Sequence, residues 1–153
     1  MIVDKAKMYT NSEHGFNSSA NHIAEFLVDP ELRMLNNLPA LPYRESFMVA
    51  SFDGDDPNLY VTDSYGTISQ VLASAIGRES GTTTKSLETN FSIAKKGILG
   101  AIELALQSLC TVTKPDANYI DVGVITPNRP FEMVDKNIVQ ACLNQMTIIK
   151  IEK

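Results

Sequence analysis

Thr82, Thr83 and Thr84 stand together after Gly81, with Lys85 next. A threonine freed at a chain's N-terminus can use its own amine as the base that activates its hydroxyl. Cleavage after Gly81 would create such a residue and leave 72 residues beyond the cut. The same stretch can also begin a helix. In that reading Ser80 or one of the three threonines accepts a backbone N–H as the cap, and Gly77 and Gly81 allow the turn before it.

Other residues with chemical potential are spaced against it. His14 and His22 are eight apart, which is not a close ligand spacing on one helix face. Asp53, Asp55 and Asp56 surround Gly54 but lack the remaining ligands and closing glutamate of a calcium loop. They read as a solvated turn. The "SYGT" around Gly66 is not a nucleophile elbow, and no phosphate-binding glycine loop occurs. Cys110 and Cys142 each sit in an apolar helical pattern and read as buried thiols rather than a disulfide. The expectation is no catalytic residue, no metal ligand and no cofactor-binding residue.

The 153 residues suit one domain, 1–153, with a real core. A net charge of −5 without a Lys or Arg run argues against a nucleic-acid surface. No apolar run reaches the ~18 residues of a membrane span. The opening "MIVDKAKMYT" has neither the apolar core nor the cleavage site of a targeting peptide. A soluble intracellular chain is expected.

Helical periodicity begins at Met1, with Ile2, Val3 and Ala6 on one side and nothing before them to cap the free N–H groups. Ser18 or Ser19 then caps a helix carrying Ile23, Phe26 and Leu27. Asp29-Pro30-Glu31 suits a continuation to about Leu35. "NNLPALP" is a loop. "ESFMVASFDG" is nearly all apolar from Phe47 to Phe52 and predicts a strand buried on both faces. "LYVT" and "TISQVLA" follow as strands of an antiparallel meander, with Asp63 to Gly66 turning between them. Two helices come next, divided near Asn90 to Ser92, the second with an apolar stripe of Ile98, Leu99, Ile102, Leu106 and Leu109 that reads as core or as a contact between neighbouring subunits rather than a ligand groove. "NYIDVGVIT" alternates Ile120, Val122 and Val124 on one face. After a turn bounded by Pro127 and Pro130, Phe131 to Val134 pair back. Asp135 caps a last helix with Ile138, Val139, Cys142 and Leu143, and "MTIIKIEK" adds an edge strand. Segregated blocks of this kind mean α+β, with helices layered on antiparallel sheet.

Several of these features, in this order, resemble the later part of an alpha-type proteasome subunit. "IVDKAK" is similar to the start of that family's first long helix. "PYRESFMVASFDGDDPNLYVTDSYGTISQVLASAIGRES" is similar to its central signature. Leu59-Tyr60, Asp63, Gly66-Thr67 and Ala75-Ile76-Gly77 match, while Ser64 and Tyr65 replace the usual Pro-Ser. Leu87-Glu88 and Ile120 to Thr126 match further on. The family's N-terminal helix and first strands have no counterpart, so a chain lacking the N-terminal part is expected.

The resemblance implies part of an αββα sandwich of the Ntn-hydrolase type, with the first strands missing. It implies a non-catalytic structural subunit of the 20S alpha ring, partnered by other alpha-type and by beta-type subunits and by regulatory particles. Assembly, gating and activator docking in ubiquitin-dependent protein degradation are the implied roles, in cytoplasm and nucleus. Catalytic members of that fold are beta-type subunits, whose threonine needs a nearby lysine and acidic partners held by the first strands. Gly81-Thr82 lacks that context, so Thr82 is read as non-catalytic. The alternatives are a free-standing α+β protein-binding module and a beta-type threonine peptidase.

Overall fold

A computed structural model describes residues 19–29, 46–63, 65–114, 116–127 and 129–151. The expected helix at Met1, the continuation past Asp29 and the "NNLPALP" loop lie outside these, as do His14 and Ser64. The chain forms two compact units, Met1–Leu72 and Ala73–Lys153.

The first unit joins one helix to a three-stranded antiparallel meander. Helix α1 runs Ala20–Val28, and Ser19 caps it by accepting the His22 N–H on its hydroxyl. Ala20, Ala24, Phe26 and Leu27 are buried. Phe26 and Leu27 form a cluster with Ile23, Phe47 and Val49, so the apolar stripe of the helix lies on the sheet. Strand β1 (Phe47–Asp53) pairs with β2 (Asp56–Thr62), and β2 with β3 (Ile68–Gln70). The register Asp53↔Asp56 leaves two turn residues, of which Gly54 has φ 62°. A leading glycine with positive φ lets a two-residue hairpin follow the strand twist. At the far end of the pair Thr62, fully buried, accepts the Phe47 N–H on its hydroxyl at 3.0 Å.

Two expectations change here. β1 is not buried on both faces: Phe47, Val49 and Ser51 are half-buried while Met48 and Ala50 between them are exposed. Helix α1 covers one side of the pleat, and period-2 alternation hands the other side to solvent at Met48 and Ala50, while Phe52 further along is half-buried. β3 is three residues rather than seven. The Val71 N–H still reaches the Leu59 carbonyl at 2.9 Å, after which the chain bends and Leu72 is exposed.

In the second unit, helix α2 spans Ser80–Asn90, a 3-10 segment Phe91–Lys96, and helix α3 Ile98–Leu109. The first helix ends at Asn90, within the expected Asn90 to Ser92 division, and the 3-10 segment then runs to Gly97, whose φ of 89° few other residues adopt. Gly100 is buried because the Ile93 carbonyl and the Lys96 side chain occupy the space a Cβ would need. A 3-10 turn, Ala117–Tyr119, leads to β4 (Gly123–Thr126), which pairs antiparallel with β5 (Arg129–Met133). The expected strand from Asn118 onward is thus shorter, though Ile120, Val122 and Val124 do share one apolar face. Helix α4 runs Lys136–Ile151, and Asp135 accepts the Asn137 N–H at 2.7 Å. The expected edge strand at the tail is therefore helix. Val139, Leu143 and Met146 keep the helical period into that segment, and their burial outweighs the strand preference of Thr147 and Ile148.

The core of this unit is Ile102, Leu106, Ala117, Val139 and Leu143, with Ile120, Val122, Val124, Val134, Cys110 and Cys142 packed around it. Both cysteines are thiols outside any disulfide, half-buried rather than fully buried. Among the described residues no helix is long and apolar enough to cross a membrane.

Candidate subunit interface

The threonine triplet lies in the first turn of α2. The cap position belongs to Glu79, whose backbone is left-handed (φ 58°, ψ 20°) and whose side chain makes no capping bond. The Glu79 carbonyl accepts the Thr82 and Thr83 N–H groups, both at 3.1 Å, and also the Thr83 hydroxyl at 3.3 Å. The expected Ser80 or threonine cap is corrected: Ser80 is the first helical residue, and Gly81 lies inside the helix with no positive φ. The turn strain falls on Gly77 (φ 100°) and Glu79 instead. Thr82 and Lys85 are exposed.

The other polar residues do not converge. Asp53, Asp55 and Asp56 are exposed around the β1–β2 hairpin. His22 is exposed on α1, its Nδ1 3.2 Å from the Ser19 hydroxyl. Asp63 closes the β2–β3 turn. One of its carboxylate oxygens accepts the Tyr65 and Thr67 N–H groups, both at 2.9 Å, and Gly66 supplies a φ of 87°. These N–H groups, Thr67 foremost, hold the Asp63 carboxyl below its ordinary value against an opposing effect of desolvation. Among the described residues no group of three or more His, Cys, Asp or Glu side chains could hold a metal ion.

What the second unit does assemble is an apolar groove. Ile98, Leu99 and Ile102 of α3, Val124 and Thr126 of β4, Met133 of β5 and Ile138 of α4 line a hollow of about 630 Å³. Leu99 and Ile138 also border a second hollow of about 390 Å³, which continues between Glu103 of α3 and Ala141, Cys142 and Gln145 of α4. Leu99 is 65% exposed, Met133 56% and Ile138 46%. A run of large exposed apolar side chains on one face marks a contact surface.

The sequence stripe was open to two readings, core or a contact between neighbouring subunits, and for Ile98 and Leu99 the core reading does not hold. Ile102 and Leu106 are buried, whereas Ile98 and Leu99 face the groove. Leu104 and Ser108 are buried instead, in line with Gly100. The signal was present in the sequence: an apolar set that includes adjacent Ile98 and Leu99 is wider than one buried face of a helix requires.

The described residues thus form α+β structure with antiparallel sheets, helices packed on them and an exposed apolar groove. The chain belongs to the proteasome subunit family, whose "Proteasome subunit" model matches residues 1–125. It is 29% identical over 119 residues to the proteasome subunit alpha type-7 of Dictyostelium discoideum, covering 77% of this chain and 47% of that protein. It is 30% identical over 114 residues to the proteasome subunit alpha of Pyrobaculum aerophilum, covering 72% of this chain and 46% of the relative. The alpha type-4 subunit of Saccharomyces cerevisiae is 26% identical over 114 residues, 72% of this chain and 45% of its own length. The resemblance to alpha-type subunits carried by Leu59-Tyr60, Asp63 and Ala75-Ile76-Gly77 thus holds. The chain spans about half the length of the curated relatives it matches.

Proposed function

We propose that the chain is a non-catalytic subunit of the alpha ring of the 20S proteasome, contributing to ring assembly, gating and activator docking in ubiquitin-dependent protein degradation. The observation that carries this is the family match over residues 1–125 together with relatives named as alpha subunits. The surroundings of Thr82 support it. Thr82 lies in the first turn of a helix with its N–H on the Glu79 carbonyl, and cleavage before it, which an N-terminal threonine nucleophile requires, would break that turn.

The two compact units are then parts of one subunit domain, residues 1–153, and their sheets belong to an αββα sandwich. A two-stranded sheet such as β4–β5 is at best marginally stable by itself, which favours its continuation into a larger sheet. Other alpha-type subunits, beta-type subunits and regulatory particles are the partners, in cytoplasm and nucleus. No cofactor enters this role.

A tagged copy expressed in its own host and purified under native conditions tests it. Recovery of alpha-type and beta-type subunits in amounts comparable to the tagged chain is the expected result. Recovery of the tagged chain without them would end the proposal.

A further inference from the structure

Aspartate is followed by glycine once in the sequence, at Asp53-Gly54, and asparagine never is. An aspartate can lose water to the backbone nitrogen of the residue after it, and a glycine there offers that nitrogen without a Cβ to obstruct the approach. Asp53 ends β1, and Gly54 is the first residue of the turn. Residues 53–57 are all exposed, and apart from its chain neighbours no atom lies within 4 Å of the place a Gly54 Cβ would take. The Gly54 N–H lies outside the β1–β2 ladder and makes no hydrogen bond to a described residue. Its nitrogen is therefore open to react.

Ring closure also needs Asp53 to leave its extended strand conformation, so the end of the hairpin must open. That end is weakly held. Asp53 and Asp56 are the last pair, and like charges on directly opposite residues destabilise pairing. Ladder bonds alternate along an antiparallel pair. The Leu59 carbonyl turns to the Val71 N–H on the other side of β2, so Leu59 and Ala50 are a pair without mutual bonds, as are Pro57 and Phe52. The next bonds inward belong to Ser51 and Asn58. Releasing Asp53 from Asp56 thus frees the chain from Phe52 to Pro57. β3 pairs with β2 at Tyr60, Val61 and Thr62, away from that end.

We propose that Asp53-Gly54 rearranges to isoaspartate, gated by fraying of the β1–β2 hairpin end. The Gly54 nitrogen bonds to Asp53 Cγ, and the proton of that nitrogen leaves with the carboxyl hydroxyl as water, which closes a succinimide ring. Water then adds at the former main-chain carbonyl carbon of Asp53 and breaks its bond to the Gly54 nitrogen. The chain now runs through Cβ and Cγ, with no net change of mass and an extra carbon in the backbone. The former main-chain carbonyl carbon becomes a free carboxylate. The extra carbon puts the tight turn out of step with the strands, so the Asp53–Asp56 pair cannot re-form as before. Only atoms of this chain and water take part, so the outcome is independent of the ring assignment.

The test incubates the folded full chain at physiological temperature in mildly acidic buffer for weeks and maps its peptides by mass spectrometry. Isoaspartate appears as a second chromatographic peak of unchanged mass. Its new carboxylate accepts a methyl group from S-adenosylmethionine when an isoaspartate-specific methyltransferase is added. The expected result is accumulation at Asp53 at least about tenfold faster than at Asp63, Asp116, Asp121 or Asp135, none of which precedes glycine. Asp56→Asn removes the opposing charge and should slow the rise about twofold. Asp53→Glu lengthens the side chain past succinimide closure and should abolish the peak. Circular dichroism checks that both variants keep the signal of the parent. A rate at Asp53 no higher than at the other aspartates, a peak that persists in Asp53→Glu, or indifference to Asp56→Asn would overturn the proposal. So would isomerisation seen only after urea unfolding, since the hairpin would then protect the site.

Discussion

The ring of Phe131 occupies the place where a Cβ on Gly123 would stand: an added Cβ would lie 2.6 Å from Phe131 Cζ and closer still to Cε2. Gly123 pairs with Met133 across the hairpin, so Phe131 is its diagonal neighbour on the same face. The aromatic ring shields a glycine that would otherwise weaken the strand.

Gly123→Ala should accordingly cost about 1 kcal/mol, because the half-exposed ring must swing away. In a Phe131→Ala background the same change should be neutral or mildly stabilising, since glycine is itself a poor strand residue. A double-mutant cycle by urea denaturation reads the coupling, and equal effects in both backgrounds would contradict the contact.

Gly100→Ala should be worse. In an unobstructed helix interior that change stabilises by about 1 kcal/mol. Here the new Cβ would collide with the Ile93 carbonyl, which is backbone, and come within 2.9 Å of the Lys96 Cβ. Overpacking of this kind costs about 1–3 kcal/mol, so the sign should reverse. Thermal unfolding of the variant against the parent decides it.

The Asp63 turn carries a pH signature. Its folded pKa lies below the unfolded value, so its contribution to stability is fully present above the unfolded pKa, near 3.8, and is lost as pH falls through the folded value. Asp63→Asn should flatten the fall in stability below about pH 4, where unfolded aspartates begin to take up protons. An unchanged acid limb in denaturation curves at pH 2 to 5 would show that the Thr67 and Tyr65 N–H groups do not favour the carboxylate.

Thr82→Ala should leave turnover of fluorogenic peptides by purified particles containing this chain unchanged. The Thr82 N–H bonds the Glu79 carbonyl as part of a helix, and the side chain faces solvent. A loss of ~10²-fold or more, the scale for removing a nucleophile's help, would restore it as a catalytic residue.

Much of the local structure was legible because it depends on neighbours in sequence. Ser19 and Asp135 cap the helices that follow them, and Ile120, Val122 and Val124 face one core. Asp63 with Gly66 also turns as its residue types require. The errors share a different cause. The left-handed Glu79 cap departs from residue preference, since few side chains other than glycine and asparagine adopt that backbone. The helical tail was misread because Thr147, Ile148 and Ile149 favour strand, while the core packing of Val139, Leu143 and Met146 extends the helix. The exposed face of β1 was missed, and the stripe at Leu99 was left open between core and subunit contact, for one reason: an apolar pattern says that a face seeks burial, not whether this chain or another covers it. The exposed groove was therefore in the sequence as excess apolar width, at adjacent Ile98 and Leu99, but without its direction.

Sedimentation of native host lysate, probed with an antibody to "NIVQACLNQ" at residues 137–145, tests the ring assignment most directly. The account predicts that the signal travels with a very large particle that also carries peptidase activity. A signal confined to the top of the gradient, as a small species of roughly the chain's own mass of 16.8 kDa, would contradict it.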